Sequence, residues 1–348
     1  MSVALCGVLA ALASREDAVR NVLELALLAP RKPTSLSLPE ESPAHPVEIT
    51  DIFMFSKEAD ILEIRLYELW PEVSQFVIVE ATHDHFGRSR NSVAPKLMRT
   101  ARFRPYASKV RTVTVVIPAN SSCRPGPKRS RYDTPGDGIW ATECHQETAA
   151  ARFIAQAKQG VFIFGHVDEI PSRQGVATLR AQLDSGLLTL PANFAIWFPW
   201  NLLTNSLHSD WPAQDVPASL GDPGVFPAGY TLDPRSGLLP RGRWPNVVKG
   251  GFHLSNYCYA PAHALKHLEA TESQAGGDSW TSWLCGMSEK AIVDECSTMK
   301  VPPKHVAVAA TEDLPRAFVD WPERYPALRG RVDPRIPFNW SVRCKTDF

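Results

Sequence analysis

Residues 161–171 read Val-Phe-Ile-Phe-Gly-His166-Val-Asp168-Glu169-Ile-Pro171. The first four form an unbroken apolar run, the mark of a buried strand. The rest carry an imidazole and two carboxylates, and Pro171 ends the run and stiffens its turn. In open α/β sheets, ligands bind beyond the carboxyl ends of the strands. His166 and Asp168 are two residues apart, so extended backbone would point both the same way. An imidazole and a carboxylate on one side can share a divalent ion such as Mn²⁺. A strand-end turn with solvated acids is the plainer reading, and these residues alone favour it.

The pattern repeats outward from this stretch. Residues 140–159 read as a helix, with Phe153, Ile154 and Ala157 on one face and Gly160 as its stop. Residues 47–55 are rich in β-formers. Residues 57–69 carry Ile61, Leu62, Leu66 and Leu69 at helical spacing, and Pro71 closes that helix. Residues 76–80 are a short apolar run ending in Glu80, and 110–117 are a further strand. Residues 118–138 form a Pro/Gly/Ser-rich loop that includes Lys128, Arg129 and Arg131. Downstream, 194–198 read as a strand, and 261–274 and 279–299 as helices. Residues 204–246, rich in Pro, Gly and Trp, are too long for a plain connection and read as a binding loop. Strands alternating with helices predict an α/β fold with a mostly parallel sheet.

Composition narrows the function. The chain has 348 residues, with 37 Lys plus Arg against 37 Asp plus Glu. Zero net charge argues against a general nucleic-acid binder, which needs a basic surplus. A hydrophobic share of 44% with 21% charged residues excludes a largely disordered chain. A globule of this length buries about 75% of its unfolded surface, so its folding requires neither disulfides nor metals. Seven cysteines include no CxxC pair, which argues against a zinc ribbon or thioredoxin-type site. Two Asn-x-Ser sequons, at Asn120 and Asn339, lean weakly towards a secretory route.

Residues 3–13 read VALCGVLAALA. The run is too short for a bilayer, which takes about 20 residues. It suits the core of a signal peptide, with Ala11-Leu12-Ala13 resembling a cleavage site, although no basic residue precedes it. An N-terminal amphipathic helix through Leu28 is the equal alternative. Residues 30–46 read as a Pro/Ser linker. The expected organisation is a 1–46 leader or helix plus linker, a folded domain over 47–335 and a 336–348 tail.

Two further patterns carry metal-type residues. Gly250-Gly251-Phe252-His253-Leu254-Ser255-Asn256-Tyr257-Cys258 pairs glycines, which allow close backbone approach, with a histidine. A satisfied core histidine is the commoner outcome. Glu80-Ala-Thr-His83-Asp84-His85-Phe86-Gly87-Arg88 spaces two histidines around an aspartate, and a polar loop after a strand explains it as well. No GxSxG elbow, Walker loop or strand-following GxGxxG occurs.

Taken together these segments resemble the family 17 glycosyltransferases. The resemblance begins at Glu58-Ala-Asp60-Ile-Leu-Glu63-Ile-Arg65-Leu-Tyr-Glu68-Leu69 and continues through the 76–80 run and its following loop. Trp140 and Glu143 sit where the family has a Trp/Glu/Arg helix. Residues 161–171 resemble the strand plus "DVDEIP" segment, and 251–258 resemble "GWHCSxCF". Residues 269–273 lie where a Lys/Ser-rich helix follows. Asp313-Leu-Pro315-Arg316 and Pro322-Glu323-Arg324-Tyr325 resemble the closing stretch. The cover is about 48–330. The chain departs from the pattern at His166, where the family has the first Asp of its metal motif, and at Phe252 and Leu254.

The resemblance implies a single GT-A-like catalytic domain and an inverting, metal-dependent transfer from a UDP-sugar, foremost UDP-GlcNAc. It implies a mannose of an N-glycan or related glycan as acceptor, Mn²⁺ or Mg²⁺ as cofactor, and a secretory-pathway location with membrane association. Its site residues would be Asp168 and Glu169 for catalysis, with Glu169, Asp278 and Glu312 as the candidates for the base. Glu80, Gly87, Arg88 and Trp140 would contact the donor. His166, Asp168 and His253 would hold the metal. Lys128, Arg129 and Arg131 would close over the diphosphate, or form a solvated charge run. Trp200, Trp211 and Trp244 would stack on acceptor sugars, or pack within their loop. A sugar-binding protein of the same fold without turnover and a metal-dependent hydrolase are the rival classes.

Overall fold

The computed structural model describes residues 38–41, 47–84, 89–118, 123, 141–197, 223–232, 239, 244–254, 314–321 and 323–325. In chain order the elements are β1 (Ile49–Phe55), α1 (Ala59–Leu69), β2 (Gln75–Ala81) and α2 (Ala94–Leu97). A 3₁₀ helix (Arg104–Lys109), β3 (Val110–Val115), α3 (Ala141–Gln156), β4 (Val161–His166) and β5 (Glu169–Pro171) follow. The remainder are α4 (Arg173–Asp184), β6 (Ala192–Trp197), β7 (Gly224–Pro227), β8 (Val247–His253) and α5 (Arg316–Asp320).

The eight strands form one mixed sheet in the order β3-β2-β1-β4-β7-β6-β8-β5. β3, β2, β1 and β4 are mutually parallel, as expected. β6 and β8 are also parallel, while β7 and β5 run against their neighbours. The arrangement is compatible with a GT-A-like single domain. The chain runs outward from β1 to β3, then returns to place β4 on the other side of β1. Strand order therefore reverses between β1 and β4, the point where open α/β sheets form a ligand crevice.

Alternation sorts the strand side chains into two layers. Ile49, Phe53, Phe76, Ile78, Val161 and Ile163 pack with α1, α4 and α5. Ile52, Met54, Val77, Val79, Phe162 and Phe164 pack with Ala150, Ala151 and Ile154 of α3. The first layer holds an unusual charge load. Every residue of α1 is buried, including Asp60, Glu63, Arg65 and Glu68. A charge in that position must be paired. Glu63 accepts from Arg102 Nε at 2.9 Å and Tyr325 Oη at 2.9 Å, and is bonded by Arg324 as well. Burial alone would raise its pKa, but the Arg102 and Arg324 charges and bonds hold it at about 2. Glu68 accepts from the backbone N–H of Arg173 at 2.8 Å and of Arg316 at 2.7 Å. It thereby ties the first residues of α4 and α5 to α1.

Several expectations changed. Residues 173–184 form a helix that the sequence reading left unassigned. Its Ser172 caps it by accepting from Gly175 N at 3.0 Å. The 204–246 stretch is not all loop, since β7 lies within it and pairs with β4. The expected helices at 261–274 and 279–299, and the segments 1–37 and 336–348, lie outside the described residues. Among the described residues no helix is long and apolar enough to cross a membrane.

Candidate functional site

The site grows from the carboxyl end of β4. β4 is in register with β1, so His166 lies beside Met54, and Val167 N donates to the Met54 carbonyl at 3.0 Å. Val167 and Asp168 form a turn, and β5 starts at Glu169. Extended alternation therefore stops at His166, and the premise that turned His166 and Asp168 to one side fails.

Two buried groups shape this turn from behind. Arg65, 0% exposed, forms a bidentate pair with Asp51 at 2.7 Å through both Nε and Nη2. Its Nη1 donates to the carbonyls of His166 and Glu169, each at 2.7 Å. Glu169 is 3% exposed, and its Oε2 accepts from His166 N at 2.7 Å. One cation and one anion thus hold the same four-residue turn by its backbone. Gly165 gives the Glu169 carboxylate its space, because a Cβ there would lie 2.6 Å from Oε2.

α3 lies across the same end of the sheet. Gln146 Nε2 donates to the Val79 carbonyl at 3.0 Å and the Phe55 carbonyl at 3.4 Å, at the ends of β2 and β1. Thr142 Oγ1 donates to the Asp84 carbonyl at 2.9 Å. Glu143 and Glu147 are one helical turn apart and so share a face. That face meets His166. Ligand atoms of Glu143, Glu147 and His166 all lie within 4.8 Å of one another, with Glu143 Oε1 3.8 Å from His166 Nε2. A disulfide joins Cys144, on the same turn of α3, to Cys123. The sequence reading proposed no pairing for these cysteines.

The expected ligands separate into two groups. His166 joins the two glutamates of α3. Asp168 and His253 form their own pair, with Oδ2 and Nε2 3.8 Å apart. The β5–β8 ladder sets that pair, since Glu169 lies opposite His253 and Leu254 N donates to the Asp168 carbonyl at 2.8 Å. β8 approaches closely at Gly251, where φ is +151° and a Cβ would fall 2.9 Å from Pro171 Cα. Only glycine combines that conformation with that approach.

Glu80 is 1% exposed and serves the start of α2. It accepts from Val93 N at 2.7 Å, Ala94 N at 2.9 Å and Ser92 Oγ at 2.6 Å. Trp244 packs edge-on against Phe226 and Tyr230, with ring centroids 6.5 Å apart in each case. Phe226 pairs with Phe162, four residues before His166 on β4. Gly87, Arg88, Trp140, Lys128, Arg129, Arg131, Trp200, Trp211, Asp278 and Glu312 lie outside the described residues. Sequence reasoning tied Glu143 only to the family pattern and missed Glu147. The i, i+4 carboxylate pair on the helix entering β4 was the available signal.

A mixed carboxylate and imidazole cluster thus lies at the strand-order reversal of an α/β sheet. Residues 40–189 match the model of glycosyltransferase family 17, consistent with a family 17 glycosyltransferase. The match contains β1 through α4, and with them Glu143, Glu147, His166 and Asp168. It supports a glycosyltransferase activity. No curated protein matches the chain.

Proposed function

We infer that this chain is an inverting transferase that moves a sugar, foremost GlcNAc from UDP-GlcNAc, onto a hydroxyl of a mannose-containing glycan. The observation that carries the reading is the placement of the family-matched acidic and imidazole groups at the β1/β4 reversal. That crevice suits a nucleotide diphosphate, and the charged side chains suit its leaving group.

The acceptor oxygen forms its bond to the anomeric carbon as the bond from that carbon to the UDP phosphate oxygen breaks. The electron pair of the broken bond stays on the diphosphate. Asp168, on the turn after β4, is the group we assign to the acceptor's hydroxyl proton. Glu169 faces inward and orients the turn on which Asp168 stands. A divalent cation, Mn²⁺ or Mg²⁺, would supply charge neutralisation to the diphosphate as it leaves. Oxygen and imidazole donors at the end of β4 suit such an ion. The Cys123–Cys144 bond supports placement in an oxidising, secretory lumen, since structural disulfides are rare in reducing compartments.

The test is a transfer assay on purified protein with a panel of UDP-sugars, Mn²⁺ or EDTA, and a mannose-core N-glycan. Mass spectrometry should show addition of one N-acetylhexosamine that EDTA abolishes. A different added sugar would move the donor specificity and leave the chemistry. UDP release with water as the only acceptor would point to a hydrolase. Neither transfer nor UDP release across the panel would make the chain a binding protein and sink the transferase reading.

A further inference from the structure

β4 divides one face of the sheet into two halves. On the β3 side of β4, α3 packs on β1, β2 and β3. On the β8 side the register sets which residues share that face. Phe164 of β4 pairs with Gly224 of β7, Gly224 with Asn193 of β6, and Asn193 with Val247 of β8. Residues paired across strands lie on the same face, and Phe164 belongs to the layer that packs with α3. Asn193 therefore points to the side on which His166 meets Glu143 and Glu147. Its neighbours Ala192 and Phe194 enter the opposite layer, where Val176 and Leu179 of α4 also pack. One pleat nearer the His166 end, Ala195 pairs with Lys249 on the same face as Asn193. Ala195 is partly buried, Lys249 is exposed and Val247 is 43% exposed.

Asn193 is 3% exposed, and its Nδ2 has no hydrogen-bond partner. A buried amide donor left without an acceptor is costly and rare in native proteins, so this one calls for a group that completes it. Its flanks do not provide one. Gly224 has no side chain, and the Phe226 ring fills the space over it, 2.6 Å from where a Cβ would stand. Val247, on the other flank, is apolar. The backbone holds the residue in place: Asn193 N donates to the Asn246 carbonyl at 3.0 Å, and Phe194 N to the Pro223 carbonyl at 2.9 Å. Two strand spacings of about 4.8 Å and one two-residue step of about 6.6 Å put Asn193 about 12 Å from His166. That is too far for a contact to a diphosphate held at the end of β4. It is within reach of a sugar beyond the transferred one. The chemistry agrees, since an uncharged N–H donor beside an aromatic ring suits a neutral sugar oxygen, whereas a diphosphate calls for cations.

We propose that the β6 side of the crevice receives the acceptor glycan, and that Asn193 Nδ2 donates to one of its sugar oxygens. The inference rests on the transferase reading for the identity of the ligand; the orphaned donor stands without it. Ala195, the next residue of β6 on that face, carries only a methyl group and keeps the approach from His166 low. Val247 and Lys249 continue the face onto β8, away from β4. An extended glycan runs over them, with the Lys249 ammonium available to its hydroxyls.

The experiment titrates the full chain with a mannose-core N-glycan alone, by calorimetry, and measures donor and acceptor KM in the transfer assay. Asn193→Leu keeps the volume and removes the donor. It should weaken glycan binding and raise acceptor KM about 10-fold, with donor KM held within about a factor of two. Ala195→Leu obstructs the approach and should have the same effect, with the far-ultraviolet circular dichroism unchanged. If Asn193→Leu fails to fold, Ala195→Leu carries the test, because its position is not fully buried. Unchanged glycan binding in Asn193→Leu together with a raised Tm would make the amide a core defect and overturn the proposal. A donor KM that rises while acceptor KM holds would overturn it too. Glycan binding by the wild type that both variants lose, without any sugar transfer, would remove the transferase reading and leave this site standing. Transfer with acceptor KM unmoved in both variants would do the reverse. A wild type that neither binds nor extends the glycan would overturn both.

Discussion

Arg65 holds His166 by its carbonyl oxygen, from a side chain with no exposure to solvent. The same guanidinium is paired with Asp51 and lies over the Phe53 ring, 4.4 Å from its centroid. Its position in the middle of α1 is fixed by packing, so the turn after β4 inherits the rigidity of the core.

Replacing Arg65 tests that dependence. Arg65→Met leaves Asp51 as an uncompensated buried charge, a change that costs about 3–5 kcal/mol. Chemical denaturation should show an unfolding free energy lower by that amount. Arg65→Lys keeps the charge but cannot reproduce the bidentate pair with Asp51. It should therefore recover only part of the loss. Equal stability of the lysine variant and the wild type would count against this account.

Acid should loosen the link between α1 and the C-terminal segment. Glu63 ordinarily titrates near 4.5, and in the fold it is held at about 2 by Arg102 and Arg324 against the cost of burial. Its folded pKa lies below its unfolded one. The stabilisation is thus present above about 4.5 and is lost as pH falls towards 2. Stability measured across that window should drop in the wild type and drop less steeply in Glu63→Gln. Parallel profiles for the two proteins would remove Glu63 from the explanation.

The disulfide closes a loop of 21-residue separation. A cross-link of that span stabilises by about 3 kcal/mol in the chain-entropy account. Tm should fall on reduction, and Cys123→Ser should match the reduced wild type. Reduction should also weaken Mn²⁺, since Cys144 stands between Glu143 and Glu147. An unchanged Mn²⁺ affinity in the reduced, folded protein would confine the bond to a stability role.

Gly165→Ala probes the second support of His166. The new methyl would meet Glu169 Oε2 at 2.6 Å and Pro223 Cα at 3.5 Å. Overpacking of this kind costs about 1–3 kcal/mol. The displaced carboxylate would release His166 N, so Mn²⁺ affinity should fall as well. Hydrogen exchange at the His166 amide should quicken; protection equal to wild type would contradict the role given to Glu169.

The first half of the fold was legible because its signals are local. Apolar runs at 76–80 and 161–164 and helical spacing in 57–69 each announce themselves within a few residues. α4 carried a local signal that went unread: Val176, Leu179 and Leu183 stand at helical spacing and pack on the core, behind the capping Ser172. β7 and β8 owe their conformation to neighbours distant in sequence: Phe226 to Phe162, and His253 to Glu169. In the site, His166 stood out beside an apolar strand. Its partnership with Glu143 and Glu147 did not, because it depends on how the helix leading into β4 crosses the sheet. Spacing along the chain put His166 and Asp168 on one side, and the two-residue turn at 167–168 breaks that alternation.

The tether from α1 to residues 314–325 reaches past the family match. Glu68 holds the Arg316 amide, and Glu63 holds Arg324 and Tyr325, all beyond residue 189. β6, β7 and β8 also lie beyond it, and β7 covers the edge of β4. A chain cut at the end of the matched stretch would bare that edge and leave Glu63 with Arg102 and Glu68 with the Arg173 amide, each short of its C-terminal partners. The stretch that matches the family and the stretch that its buried groups pack against are therefore different lengths of this polypeptide. Residues 314–325 are thus part of what satisfies the buried charges of α1, the helix whose Arg65 holds the turn after β4.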